Sequence, residues 1–172
     1  MAPLHVVFVH GSWHTPAHLQ PMIEVVQAKG MTTHCPLLPT CNVSSAPNSD
    51  TTASDRTNAP AEGWPDHTAD TKAVKDVLTD LVEKHSHEVL VVAHSYGGVP
   101  GAEAVTSELT AKSRQSRGLQ GGVIGMFFMN AYLIPEGKSI AGWLENKLAP
   151  CAEIHVSTGQ WFWNEEPAMT DT

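Results

Sequence analysis

Three short runs of apolar residues stand out along the chain: Leu4 to Val9, Val89 to Ala93 and Val123 to Met129. Each is rich in β-branched or aromatic residues and too dense to alternate with polar ones, which reads as a strand buried on both faces of a sheet. A weaker run, Met31 to Leu38, is bounded by Pro36 and Pro39 and reads as a further short strand. Between the runs the period changes. Thr15-Pro16 and Gln20-Pro21 both resemble helix entries, and Ile23, Val25, Val26 and Ala28 lead to Lys29-Gly30, so a helix is expected from about Pro21 to Gly30, with proline at its start and glycine at its end. Asp66 to His85 carries Ala69, Ala73, Val74, Val77, Leu78, Leu81 and Val82 on one stripe. Asp70, Lys72, Lys75, Asp76, Asp80 and Glu83 are expected mostly on the opposite, polar side. A helix with Ala102, Ala104, Val105 and Leu109 should follow Ser95 and fray before Gly121-Gly122.

Strands alternating with helices predict an α/β fold with a parallel sheet, flanking helices and right-handed crossovers. Cys41 to Trp64 is polar and proline-rich with almost no apolar anchor, and reads as a long loop in which Trp64 is the residue expected to be pinned. From Asn130 to Thr172 the pattern offers only short helical stretches such as Ser139 to Leu148, with the aromatics Trp143, Trp161, Phe162 and Trp163.

Composition narrows the function classes. The 172 residues suit a single domain, and a formal charge of −8 argues against a nucleic-acid surface. The one basic group, Lys112, Arg114 and Arg117, is expected where a helix ends and its dipole favours cations. Cys35, Cys41 and Cys151 have no metal-ligand spacing and read as reduced thiols of a soluble, cytoplasmic protein; no stretch is long enough to span a membrane. His14 and His18 have the spacing of a metal pair, but they precede Pro21 and lack a third ligand, so neither a metal nor a cofactor is expected.

The chemistry concentrates in EVLVVAHSYGG, Glu88 to Gly98. A strand that drops onto a serine and then two glycines predicts a sharp turn into a helix, with the Ser95 hydroxyl pushed off the sheet. Ala93 and Gly97 are small enough for the chain to double back. The first strand ends in His-Gly-Ser, and its loop should face the same rim. Gly11, Trp13, His14 and His94 are the residues expected to line the crevice there, although the His94 side chain should point away from Ser95 along its strand. In acyl transfer, backbone N–H groups of Ser12 and Tyr96 would then be directed at the oxyanion.

FVHGSWHTP, VVAHSYGGVP and the later GMFFMNAYLIPEG together resemble the α/β-hydrolase superfamily, in particular its small-cap branch of esterases, methylesterases and hydroxynitrile lyases. The resemblance implies an α/β-hydrolase-like core over residues 1–130, lacking the last strands, and a small cap over 131–172 whose Tyr132, Trp143 and Trp161 cover the substrate. It also implies the sheet order Met31 strand, Leu4 strand, Val89 strand, Val123 strand. The family's acid and histidine follow the serine. Here Asn130 stands where some relatives place an acid, and after Ser95 the only Asp is Asp171 and the only His is His155, which leaves His155 as the candidate base.

Three function classes remain open on the sequence. The first is a serine hydrolase of a small apolar ester, thioester or lactone. The second is a non-hydrolytic cyclase, lyase or isomerase that polarises a carbonyl in the same pocket, with His14 or Tyr96 moving a proton. The third is a catalytically inactive binding fragment. Because VIGMFFM carries neither charge nor proline to blunt a free edge, a homodimer is expected to cover it.

Overall fold

The computed structural model describes residues 3–42 and 66–143, together with the strand backbone of 152–155 and 160–163. The expectations for the loop up to Trp64, for Cys151 and for Asp171 lie outside the described residues. The chain divides into two compact units, Met1–Leu133 and Ile134–Thr172.

The first unit is built on a four-stranded parallel sheet in the order β2-β1-β3-β4, with β1 at His5–Val9, β2 at Thr32–His34, β3 at Glu88–His94 and β4 at Gly122–Met129. This is the order and the fold class that the sequence predicts. All five β1 residues are buried, and alternation sends them to two cores. Val7 and Val9 join Val89, Val91 and Ala93 against Val74, Leu78, Leu81 and Val82 of the helix that precedes β3, whereas Val6, Phe8 and Val92 meet Leu19 and Ile23 of the first helix.

That first helix, α1 at Pro16–Gln27, starts a turn and a half earlier than the sequence suggests. Thr15 is its N-cap, and the ring of His18 reaches back so that the Thr15 N–H donates to His18 Nδ1 at 3.0 Å. Imidazole thus does here what glutamate does in a capping box. Pro16 takes the first position, and Pro21 is accommodated in the second turn, where it removes a single hydrogen bond. β2 is only three residues long, shorter than the run from Met31 to Leu38, because the chain turns away through Pro36 into a 3-10 turn at Pro39–Cys41.

The second helix, α2 at His67–Thr79, is capped by the Asp66 carboxylate, which accepts from the Thr68 and Ala69 N–H groups. Those hydrogen bonds, led by one from the Thr68 hydroxyl, hold the Asp66 carboxyl below its ordinary range. The helix runs on as a π-helical turn, Asp80–Lys84, that buries both Leu81 and Val82 before β3. After β3 the single expected helix is replaced by pieces: α3 at Gly98–Ala104, a 3-10 turn at Ser107–Leu109 and α4 at Ala111–Ser116. Arg114 lies in the last turn of α4 and Arg117 is its C-cap, as expected of the basic group, but Arg114 does more than meet the dipole. Its side chain is 5 % exposed, and the guanidinium donates to the Gln120 and Val82 carbonyls, tying α4 to the π turn.

β4 pairs with β3 on one side, and on the other only an isolated bridge from Thr110 to Val123 is present among the described residues. Its Met126 and Phe128 pack on the larger core, whereas Ile124 and Phe127 are 49 % and 57 % exposed. In the second unit, α5 spans Ile140–Trp143, and an unanticipated antiparallel hairpin pairs β5, Ala152–His155, with β6, Gln160–Trp163. Among the described residues no helix is long and apolar enough to cross a membrane.

Candidate active site

Two adjacent parallel strands, β1 and β3, end side by side, with Val9 opposite Ala93. Beyond Ala93 the backbone changes abruptly: His94 is extended, and Ser95 has φ 53, a left-handed conformation costly for a residue with a Cβ. A 3-10 turn through Gly97 then opens directly into α3. The turn closes only because of its glycines. A Cβ on Gly97 would stand 2.3 Å from the Val9 carbonyl oxygen and 2.5 Å from that of His10, and one on Gly98 would stand 2.1 Å from the carbonyl oxygen of Tyr132. The Tyr132 N–H in turn donates to the Ser95 carbonyl at 3.0 Å, so the backbone after β4 grips the turn.

The loop after β1 faces this serine. A Cβ on Gly11 would lie 3.0 Å from Ser95 Cβ, 3.4 Å from Ser95 Oγ and 3.3 Å from His94 Nδ1. The bare backbone of Gly11 is therefore what leaves room for both side chains. The His94 ring comes to the same Gly11 backbone as the Ser95 side chain, although alternation along β3 would direct the two apart. The His94 ring also meets His14 edge-on with centroids 5.4 Å apart. Burial, reinforced by His14, lowers the His94 pKa, and its Nδ1 is a buried atom with no hydrogen-bond partner among the described residues.

The loop itself is fixed from below. His10 is fully buried; its Nδ1–H donates to the Gly11 carbonyl at 2.9 Å, while its Nε2 accepts from the Leu38 N–H at 3.1 Å. Both ring nitrogens are satisfied by a neutral imidazole, and burial lowers the pKa in keeping with that. His14 Nδ1 donates to the Ser12 carbonyl at 2.7 Å, and Trp13, at φ 58, is 48 % exposed beside them. His14 and His18 are thus engaged in loop and cap. Among the described residues no group of three His, Cys, Asp or Glu is placed to hold a metal.

Sequence reasoning missed one residue of this site. Asp70 is fully buried, not on the polar side of α2, and accepts from the Thr40 N–H at 2.9 Å, the Thr40 hydroxyl at 2.6 Å and the Tyr96 hydroxyl at 2.8 Å. The signal was its register: Asp70, Val74 and Leu78 recur at i, i+4 and i+8, the buried face of the helix. Burial and the Asp70 carboxylate push the Tyr96 hydroxyl well above the usual phenol range. The phenol is therefore committed as a donor and is not the proton-transfer group that a non-hydrolytic mechanism would ask of it.

The structure brings Gly11, Ser12, Trp13, His14, His94, Ser95, Tyr96 and the Tyr132 backbone to one rim. Trp143 lies in α5, half exposed, and His155 and Trp161 lie on the hairpin strands; all three belong to the second unit. The Ser95 hydroxyl makes no hydrogen bond among the described residues, and two open surface grooves, one bordered by His34 and Asp76 and one by Thr110 and Ile124, lie away from it.

Residues 6–171 match the model of the alpha/beta hydrolase family. Among solved structures, an extracellular alpha/beta-hydrolase from a Paenibacillus species, described as sharing structural and functional homology with tobacco Salicylic Acid Binding Protein 2, is 22% identical with a TM-score of 0.51 over 81% of this chain and 45% of its own. A methylesterase from Arabidopsis is 21% identical with a TM-score of 0.49, over 78% of this chain and 46% of its own. The chain thus spans less than half the length of these two structures. No curated protein matches it by sequence.

Proposed function

Starting from a chain that belongs to the alpha/beta hydrolase family, we propose that it is a serine hydrolase of a small apolar ester, thioester or lactone, with Ser95 as the nucleophile. The observation that carries this reading is the strained φ of 53 at Ser95, on a strand-to-helix turn whose hydroxyl faces the Gly11 backbone. Strain of this kind costs about 1–3 kcal/mol and persists where function requires the exposed side chain.

In the proposed reaction, Ser95 Oγ adds to the carbonyl carbon and gives its proton to a base, while the Ser12 and Tyr96 N–H groups donate to the developing oxyanion. Collapse breaks the bond to the leaving alkoxide or thiolate, which takes up that proton, and water then releases the acyl group as an acid. His155 is the candidate base by sequence, and Trp13, His14 and Tyr132 are proposed to line the substrate site. The non-hydrolytic alternative loses support from the commitment of the Tyr96 phenol to Asp70. The reading of the chain as an inactive binding fragment draws on one observation, that the Ser95 hydroxyl has no partner among the described residues.

The test is labelling of Ser95 by a fluorophosphonate, located by peptide mass, together with turnover of short-chain aryl esters. Ser95→Ala should abolish both; hydrolysis that persists in Ser95→Ala would identify another nucleophile.

The partner proposed besides substrate is a second copy of the chain, paired along the free side of β4, where Ile124 and Phe127 are exposed. A net charge of −8 argues against a nucleic-acid surface. The free thiols Cys35 and Cys41 suit a cytoplasmic setting, and burial holds the Cys35 thiol up at about 11.

A further inference from the structure

We propose that Asp70 is a positioning residue: one buried carboxylate that aims both backbone donors of the Ser95 site. The inference rests on the reading of Ser95 as the nucleophile. Asp70 occupies a helix face otherwise given to Val74 and Leu78, where an apolar side chain would fill the space without the cost of burying a carboxyl group. No cation pairs with it among the described residues. Its partners are the Thr40 N–H and hydroxyl and the Tyr96 hydroxyl, and these belong to the two segments that flank the serine.

On one side, Tyr96 follows Ser95 directly. Anchoring its ring to Asp70 fixes the orientation of the residue whose N–H is to meet the oxyanion. On the other side the linkage runs through the turn at Pro39–Cys41. The Asp70 carboxylate holds Thr40, and two residues earlier Leu38 donates its N–H to His10 Nε2. His10 Nδ1–H then holds the Gly11 carbonyl, which also accepts from the His14 N–H at 3.3 Å and from the Cys41 thiol at 3.8 Å. Gly11 C=O and Ser12 N–H are the two ends of one trans peptide plane, so fixing the carbonyl fixes the opposite direction of the N–H. The neutral state of His10 and the elevated pKa of the Tyr96 hydroxyl keep each link donating in the required sense.

The experiment compares the rate of fluorophosphonate labelling of Ser95, and kcat and KM for an aryl ester, in the full chain and in Tyr96→Phe, Asp70→Asn, Asp70→Ala and Asp76→Asn. Tyr96→Phe and Asp70→Ala should lower labelling and kcat by about 10- to 100-fold with KM little changed, the loss that misplacement of a catalytic group produces. Asp70→Asn, which still accepts through its amide oxygen, should recover part of the Asp70→Ala loss. The Asp70→Ala/Tyr96→Phe double variant should be no slower than Asp70→Ala alone, since both cut the same linkage. Asp76→Asn, an exposed change on the same helix, should label as the parent does. If Tyr96→Phe and Asp70→Asn fold and label at the parent rate, the positioning role is overturned while the nucleophile stands. If the parent is not labelled at Ser95, the nucleophile reading itself fails and takes the inference with it.

Discussion

At the scale of single residues, the site is a set of places where a side chain is either forbidden or strained. Gly97→Ala would press a Cβ onto the carbonyl oxygens of Val9 and His10, neither of which can retreat without breaking β1. We expect this variant to lose several kcal/mol of stability, or to fail to fold, in a urea titration. Ser95 presents the opposite case. Glycine adopts its φ of 53 without strain, so Ser95→Gly should raise stability by about 1 kcal/mol while removing labelling altogether. A fall in the urea midpoint of Ser95→Gly would show that the conformation is not strained.

At the scale of elements, the ends of β1 and β2 and the turn into β3 are joined by histidines. His5 Nδ1 lies 3.0 Å from His34 Nε2, and the His5 ring stacks on His87 at 3.9 Å, with His85 stacked on His87 at 5.6 Å. The His5 and His34 rings are within 12° of parallel with centroids 5.2 Å apart, which fits one imidazole donating in plane to the other. At least one of the pair must then be neutral. Burial lowers the pKa of both His5 and His34 from 6.5, and neighbouring histidines add to it. A histidine whose folded pKa is depressed binds more protons when unfolded, so its stabilising contribution is complete above about pH 6.5 and is lost as the pH falls through that value towards the folded pKa. Lowered carboxylate pKa values such as that of Asp66 act at more acidic pH. The urea midpoint should therefore drop between pH 7.5 and 5.5, and His34→Gln should flatten that drop; an unaltered slope in His34→Gln would exclude the stack as its source. Arg114 joins elements in another way. Arg114→Ala removes the donors to the Val82 and Gln120 carbonyls and should cost about 3 kcal/mol, read in the same titration.

For the whole molecule, the open question is what covers β4. A strand that among the described residues carries only the Thr110 bridge on its second side, with Ile124 and Phe127 exposed, is a template for association. We expect light scattering behind size-exclusion chromatography to give a dimer at micromolar concentration. Phe127→Lys, at a position already exposed, should shift the population to monomer without lowering the thermal midpoint by more than a few degrees. A monomer in the parent protein across a dilution series would remove the dimer.

Much of this architecture follows from the sequence alone, and the reason is range. Strand identity, the order of strands and helices, and the turn at Ser95 depend on contiguous residues: an apolar run of β-branched side chains, then Ala93, Ser95 and Gly97 at fixed spacing. Local sterics decide these, and resemblance to a family supplied the order of strands in the sheet. The sequence misled where a side chain had two local roles. Pro21 reads as a helix start, but the His18 cap moved that start to Pro16; Arg114 does lie in the last turn of α4, as expected, but carbonyls of the π turn and of Gln120 also claim it. Only the tertiary structure decided the burial of Asp70, because its partners lie 30 and 26 residues away in the chain. The same holds for His94, whose ring comes to the Gly11 backbone as the Ser95 side chain does, and for His5 and His34, joined across 29 residues. A polar residue on a helix is sorted to solvent by pattern alone. It goes inward only where distant donors converge on it, and that convergence is a property of the fold.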